Sequence, residues 1–176
     1  MNNKIKEDGK IKIYVASLEA YNSGRMVGDW LTPRDYSDYE SFENAIKKAT
    51  QDADEVAVHD YDGIDLDNEY PDFEKLYEFC QALEDSHLDR EVITAYAENT
   101  SEDLDTDLIA KAEDYYIGTF ADFREYADEF ADEMLSQNKD CILANYFDYE
   151  SYARDLEYDH IVCTVSGYKV AIFNNC

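Results

Sequence analysis

Carboxylates are the groups in this chain with the most chemistry to offer. Asp103, Asp105 and Asp107 stand two apart, and Asp114 falls at the twelfth position of the same run. That spacing is the frame of a calcium loop. Such a loop needs glycine at its sixth position, for a sharp turn, and a bidentate Glu at its twelfth. Here the sixth position is Leu108 and the twelfth is an aspartate, so specific calcium binding is not expected. The run Asp60-Tyr61-Asp62-Gly63-Ile64-Asp65 also breaks the spacing.

Other chemistries find no better footing. His59, His87 and His160 lack the spacing of a metal-binding helix, and His59 and His160 fall at predicted strand ends, where a structural role is the default. Cys80, Cys141, Cys163 and Cys176 form no C-x-x-C pair and sit mostly beside apolar residues. They read as free buried thiols in a reducing compartment. No glycine-rich phosphate loop, G-x-S-x-G elbow or Cys/His pair is present. Among 42 acids a pair suited to glycoside hydrolysis can always be found, but nothing singles one out. The expectation is a protein that is not an enzyme, holds no cofactor or metal, and works through its surface.

The elements that would carry such a surface follow from periodicity. The fold class is α+β. Ile11, Ile13 and Val15 alternate as one face of a strand, a polar turn follows at 22–24, and 26–31 reads as a second strand after a long loop. Phe42, Ala45, Ile46 and Ala49 predict a helix over 39–50, and Val56 and Val58 a third strand. Tyr21 and Trp30 read as core. Pro71 suits a helix's first turn, with Asp72 and Glu74 at its N-terminus. Phe73, Leu76, Tyr77, Cys80 and Leu83 then form an apolar stripe. Further helices are expected over 89–97 and 103–111, and a strand over 115–119. The clearest helix, 120–135, carries Phe120, Phe123, Ala127, Phe130 and Met134 on one face. A shorter helix over 148–156 precedes strands 160–165 and 168–173, joined at Ser166-Gly167 as a two-residue hairpin. Changes of period suggest three small domains: 1–66 (α+β), 67–111 (acidic and helical) and 112–176 (α+β).

The chain of 176 residues has 45% hydrophobic and 14% aromatic residues, enough for a packed core and unlike a disordered acidic tail. Its formal net charge is -27. Such a charge opposes compaction and excludes direct binding to nucleic acid or an anionic membrane; basic surfaces are its natural partners. The N-terminal ten residues lack the apolar segment of a signal peptide, and no apolar run reaches the roughly 20 residues of a membrane span. A cytoplasmic protein is expected.

The charge is concentrated. Residues 1–64 hold 13 acids and 8 bases, residues 65–160 hold 29 acids and 6 bases, and residues 161–176 hold one lysine. Adaptation to high salt would spread the acids evenly. On the helix over 120–135, Asp122, Glu125, Glu129 and Asp132 lie opposite the aromatic stripe, with Asp128 and Glu133 beside them. Neighbours in that row are about 4.5–6 Å apart along the axis. Asp72, Glu74, Glu78, Glu84 and Asp85 play the same part on the helix after Pro71. Like charges at i,i+4 oppose helix formation by a few tenths of a kcal/mol per pair. Duplex DNA carries one charge per ~1.7 Å of axis, and carboxylate rows approximate that density over a patch. An acidic run is otherwise simply a solvated helix face; the concentration is what favours imitation of DNA.

Several stretches carry a resemblance. Ile13-Tyr14-Val15-Ala16-Ser17-Leu18, Tyr21-Asn22-Ser23-Gly24, Gly28-Asp29-Trp30 and Val58-His59-Asp60-Tyr61-Asp62-Gly63 occur in order. Tyr146-Phe147-Asp148-Tyr149-Glu150-Ser151-Tyr152-Ala153-Arg154-Asp155-Leu156 follows. Together they resemble the ArdA antirestriction proteins, the last stretch looking like that family's antirestriction motif. The basic extension with Lys4, Lys6, Lys10 and Lys12 departs from the family pattern and reads as a frayed end.

The resemblance implies an elongated DNA mimic of three small domains, carried by mobile genetic elements. Such a protein occupies the DNA-binding groove of type I restriction–modification enzymes and blocks restriction, and often modification. It also implies a homodimer whose interface lies near the motif, at Tyr146, Phe147, Asp148, Tyr149, Tyr152, Ala153, Arg154, Asp155 and Leu156. Those residues are too apolar to imitate phosphates, so folding and dimerisation are preferred over direct target contact. Arg154 is placed to pair with Glu150 or with an acid across a dimer. The alternative reading is an acidic adaptor for another basic DNA-binding protein or nuclease, which would not select type I enzymes.

Overall fold

A computed structural model describes residues 4–5, 9–66, 68–137 and 145–175. It is mixed α+β, with seven α-helices and two three-stranded antiparallel sheets among the described residues. The chain divides into two compact units, Met1–Lys111 and Ala112–Cys176.

The first unit is built on a sheet of order β3-β2-β4. In the central strand β2 (Lys12–Ser17), Ile13 and Val15 are buried while Lys12 is exposed. That alternation fixes which face meets the core. β3 (Gly28–Leu31) pairs Leu31 with Ile13 and Trp30 with Tyr14. β4 (Val56–Asp62) pairs Asp60 with Tyr14 and Val58 with Val15, so His59 forms a bulge. Helix α2 (Tyr39–Thr50) packs across β2 and β3 and buries Phe42 and Ile46. It starts where Asp38 accepts the Ser41 N–H at 2.7 Å, a capping box completed by the Ser41 hydroxyl. It stops at Gln51, which turns left-handed at φ 56°.

The predicted long loop after β2 holds a five-residue helix, α1 (Leu18–Asn22), capped by the Ser17 hydroxyl. Five residues are too few for an amphipathic period to show in sequence. Tyr21 and Trp30 are not core: they are 55% and 44% exposed. Tyr21 rests edge-on against His59, and Trp30 faces the side of the sheet that α2 does not cover. Nor is the N-terminal segment simply frayed, because β1 (Lys4–Ile5) pairs antiparallel with β5 (Ile64–Asp65). Cys141 and Cys176 lie outside the described residues.

Helix α3 (Phe73–Asp85) buries Leu76, Tyr77, Phe79, Cys80 and Leu83. Asp72 caps it, accepting from the Glu74 and Lys75 N–H groups, so Pro71 precedes the helix instead of entering its first turn. The Tyr77 ring stacks on Phe42 at 5.7 Å and its hydroxyl donates to the Tyr36 carbonyl, tying α3 to α2. α4 (Arg90–Thr100) follows. α5 (Thr106–Tyr115) starts later than predicted, because Asp105 accepts the Leu108 N–H at 2.9 Å. Burial pushes the Cys80 thiol up to about 12, and that of Cys163 in the second unit up to about 11. Both are free and stay protonated near neutrality.

The second unit has sheet order β6-β8-β7, from β6 (Tyr116–Phe120), β7 (His160–Val165) and β8 (Lys169–Asn174). α6 (Phe123–Ser136) and α7 (Tyr149–Glu157) pack on each other. Their core joins Phe123, Tyr126, Ala127, Ala153 and Ile172. The predicted helix over 120–135 begins later: Phe120 ends β6 and Asp122 caps α6. Its buried face is also rotated. Phe123, Tyr126, Ala127 and Ala131 are inside, while Phe130 and Met134 are 39% and 37% exposed. Small alanines let α6 approach its neighbours closely, which large aromatics at those positions would prevent. The β7–β8 turn has three residues, Ser166–Tyr168, instead of two, with Gly167 and Tyr168 both left-handed.

Gly28 and Gly24 separate two kinds of glycine constraint. A Cβ on Gly28 would lie 2.2 Å from the Val15 carbonyl oxygen, inside the sheet; one on Gly24 meets nothing within 4 Å but keeps φ +75°. We expect Gly24→Ala to cost about 1 kcal/mol of backbone strain and Gly28→Ala about 1–3 kcal/mol more, because strands must separate. Urea midpoints at constant m-value measure both.

Candidate functional site

In the first unit, the five predicted surface acids divide by what their side chains do. Asp72 is the α3 cap. Glu84 pairs with Arg90 at 2.6 Å, and Asp85 with Arg34, which also donates to Gln81. These bonds fasten α3 to α4 and to the turn at Pro33–Asp35. Glu74 and Glu78 are exposed, and their carboxylates bond to no other described residue.

Helix α6 divides the same way. Asp122 accepts from the Glu125 N–H at 2.9 Å, and Glu125 reaches back to the Ala121 N–H at 2.6 Å. Two free donors of the helix start are thereby satisfied. Asp128 pairs with Arg124 at 2.6 Å, and Asp132 accepts the Tyr149 hydroxyl at 2.5 Å. Glu129 and Glu133 are exposed with no such bond. Of the eleven acids, these four glutamates are the ones whose carboxylates make no hydrogen bond or ion pair with another described residue.

Of the motif residues, Tyr146, Phe147 and Asp148 precede α7 and the rest lie within it. Asp148 caps the helix through the Ser151 N–H and hydroxyl, which hold its carboxyl below the usual range. Phe147 packs edge-on against Tyr149 at 5.0 Å and against Tyr152 at 5.2 Å. The bond to Asp132 raises the Tyr149 hydroxyl, since ionising it would set two negative charges together. Ala153 is buried, and Leu156 packs on the core beside Val162. Tyr146 is 80% exposed, and Arg154 and Asp155 are exposed. Arg154 pairs with Asp155 at 3.5 Å, not with Glu150. An exposed arginine has several acids within reach, and pairs of this kind contribute little.

The histidine at the start of β7 is structural. His160 Nδ1 lies 2.8 Å from the Leu156 carbonyl, which can only accept, so Nδ1 carries the proton. Its Nε2 then accepts from the Tyr126 hydroxyl at 3.1 Å. In the first unit, Asp103, Asp105 and Asp107 of the rejected calcium frame line an open recess of about 450 Å³ with Glu102 and Lys111, which pair with each other; Asp114 does not line it. Among the described residues, no group of three or more His, Cys, Asp or Glu is placed to hold a metal ion. No described helix is long and apolar enough to cross a membrane.

The outward pair of Trp30 and Tyr14 was missed by periodicity, because an alternating strand does not say which of its faces a helix will cover. Equally unreadable was which acids would be anchored: Arg34–Asp85 and Tyr149–Asp132 join residues 51 and 17 positions apart.

These observations define a class: a small, acidic α+β protein with exposed carboxylates along its helices. The model of the family described as Antirestriction protein (ArdA) matches residues 13–170. The chain therefore belongs to the ArdA family of antirestriction proteins. No curated protein matches it.

Anchored and free acids should separate in stability. Asp122→Ala is expected to cost about 1 kcal/mol, and Glu129→Gln to stay within about 0.5 kcal/mol, by urea denaturation. Asp148 adds a pH signature. Its folded pKa is depressed, so its contribution is complete above the ordinary carboxylate value and is lost as pH falls through the folded one. The difference between wild type and Asp148→Ala should be full at neutral pH and shrink below pH about 4.

Proposed function

We propose that this protein blocks restriction by imitating DNA: its carboxylates occupy the DNA-binding groove of a type I restriction–modification enzyme in the cytoplasm. The supporting observation is the division of the acids. Anchored ones hold helix starts and junctions, and Glu74, Glu78, Glu129 and Glu133 add carboxylates that no local hydrogen bond or ion pair requires. Along α6, Glu125, Glu129 and Asp132 are all exposed, at steps of about 4.5–6 Å along the axis. Lysines and arginines that neutralise phosphates would meet carboxylates instead, and the encounter would be steered by long-range attraction. The enzyme receives no base to cleave or methylate. Exposed Tyr146, Arg154 and Asp155 beside the anchored motif residues fit a homodimer interface in the second unit, which sedimentation would reveal.

Competition for a purified type I methyltransferase core tests the reading. Labelled duplex bearing its recognition site should be displaced at near-stoichiometric protein, less well as salt rises. Glu129→Lys alone should lose little. The quadruple variant E74Q/E78Q/E129Q/E133Q should bind much more weakly with its thermal midpoint no lower, since two like-charge i,i+4 pairs are relieved. Failure of the folded wild type to displace duplex would reject the type I target and favour an adaptor for another basic protein. A single reversal that abolished inhibition would contradict distributed mimicry.

A further inference from the structure

The side of the first unit's sheet away from α2 carries a row that runs across all three strands. Trp30 on β3 stands opposite Tyr14 on β2, which stands opposite Asp60 on β4. Cross-strand neighbours of this kind sit about 4.5–5.5 Å apart at Cβ. The Trp30 and Tyr14 rings meet edge-on, 5.7 Å between centroids, and Trp30 remains 44% exposed. One carboxylate lies on this face: Asp60, which is exposed and whose Oδ1 accepts the Tyr61 backbone N–H at 2.9 Å. Asp29, registered with Val15, starts from the α2 face, and its Oδ1 accepts the Trp30 backbone N–H at 2.8 Å. Because Asp29 takes the Trp30 N–H, that group is not offered to an added strand; this face presents rings. The nearest base on β2, Lys12, stands one row away, opposite Asp62.

An exposed indole and a phenol ring in one row with a carboxylate are complementary to a cation with a flat apolar face. Guanidinium meets that description. It stacks on aromatic rings, is weakly hydrated and forms paired hydrogen bonds to carboxylate, whereas an ammonium group is compact and strongly hydrated. We propose that Trp30, Tyr14 and Asp60 form a receptor for an arginine side chain of the bound enzyme. The proposal rests on the preceding reading that the partner is a DNA-binding enzyme. It adds a contact that salt screens little and that discriminates between basic surfaces of equal charge.

Trp30 is the sole tryptophan, so its emission reports on the row directly. The full chain would be titrated with capped tri-arginine and capped tri-lysine peptides. Both should accumulate on the acidic protein, but the arginine peptide should alter Trp30 emission and bind roughly two- to five-fold more tightly. Asp60→Asn should reduce that preference. Equal affinity and equal emission change for the two peptides would overturn the proposal. In the duplex competition assay, Trp30→Leu, with its melting temperature checked, should raise the protein needed for displacement by the same roughly two- to five-fold factor. Its salt dependence should not change. Unaltered displacement by a folded Leu variant would also overturn it. Should wild type fail to displace duplex, the enzyme reading falls, and the peptide titration still decides the arginine site.

Discussion

Mutual repulsion among 42 carboxylates, opposed by 15 bases, is the constraint that every element of this protein has to meet. Burial supplies the opposing force, through rings such as Phe42, Phe79 and Phe173, each nearly inaccessible. Placement of the acids does the rest. Asp38, Asp72, Asp122 and Asp148 stand at the N-caps of α2, α3, α6 and α7, each accepting backbone N–H groups. There a negative charge satisfies unpaired donors and lies at the favourable end of the helix dipole. A group that would repel its neighbours elsewhere thus helps to start a helix.

The same placement explains what could be read from the residues alone. The helix over 39–50 was legible to the residue because Phe42 and Ile46 repeat at helical spacing behind an aspartate. α6 was legible as a helix but not in its rotation. Aromatic rings outweigh alanines in any hydrophobic count, yet Ala127 and Ala131 face the core while Phe130 looks partly outward. Close approach between elements is a tertiary demand that composition does not display. Likewise the acidic rows could be placed on helices, but not sorted into anchored and free, because sorting depends on partners such as Tyr149 and Arg34 that arrive from distant parts of the chain. Trp30 was misjudged for a related reason: large aromatics are usually buried, and only the position of α2 reveals which face of β2 and β3 stays open.

The division of labour among the acids has a consequence for how such a surface can vary. Anchored aspartates and glutamates couple charge to folding, so replacing one changes both. Glu74, Glu78, Glu129 and Glu133 make no hydrogen bond or ion pair with another described residue, so charge density can be raised or lowered there with small effects on stability. A surface with both classes can hold its fold while its electrostatic strength is adjusted. A surface made wholly of anchored acids could not.

Charge alone, however, discriminates poorly. Carboxylate rows attract any sufficiently basic groove, and at physiological salt their reach beyond about 8 Å is screened. Electrostatic complementarity governs encounter more than it governs the choice between partners of like charge. Selection requires contacts of defined geometry, such as a ring that stacks on a guanidinium or an apolar contact that excludes water. In this protein the exposed rings include Trp30 in the first unit and Tyr146 in the second. On the reading proposed above, many interchangeable carboxylates would draw the partner in, and exposed rings of defined geometry would distinguish it.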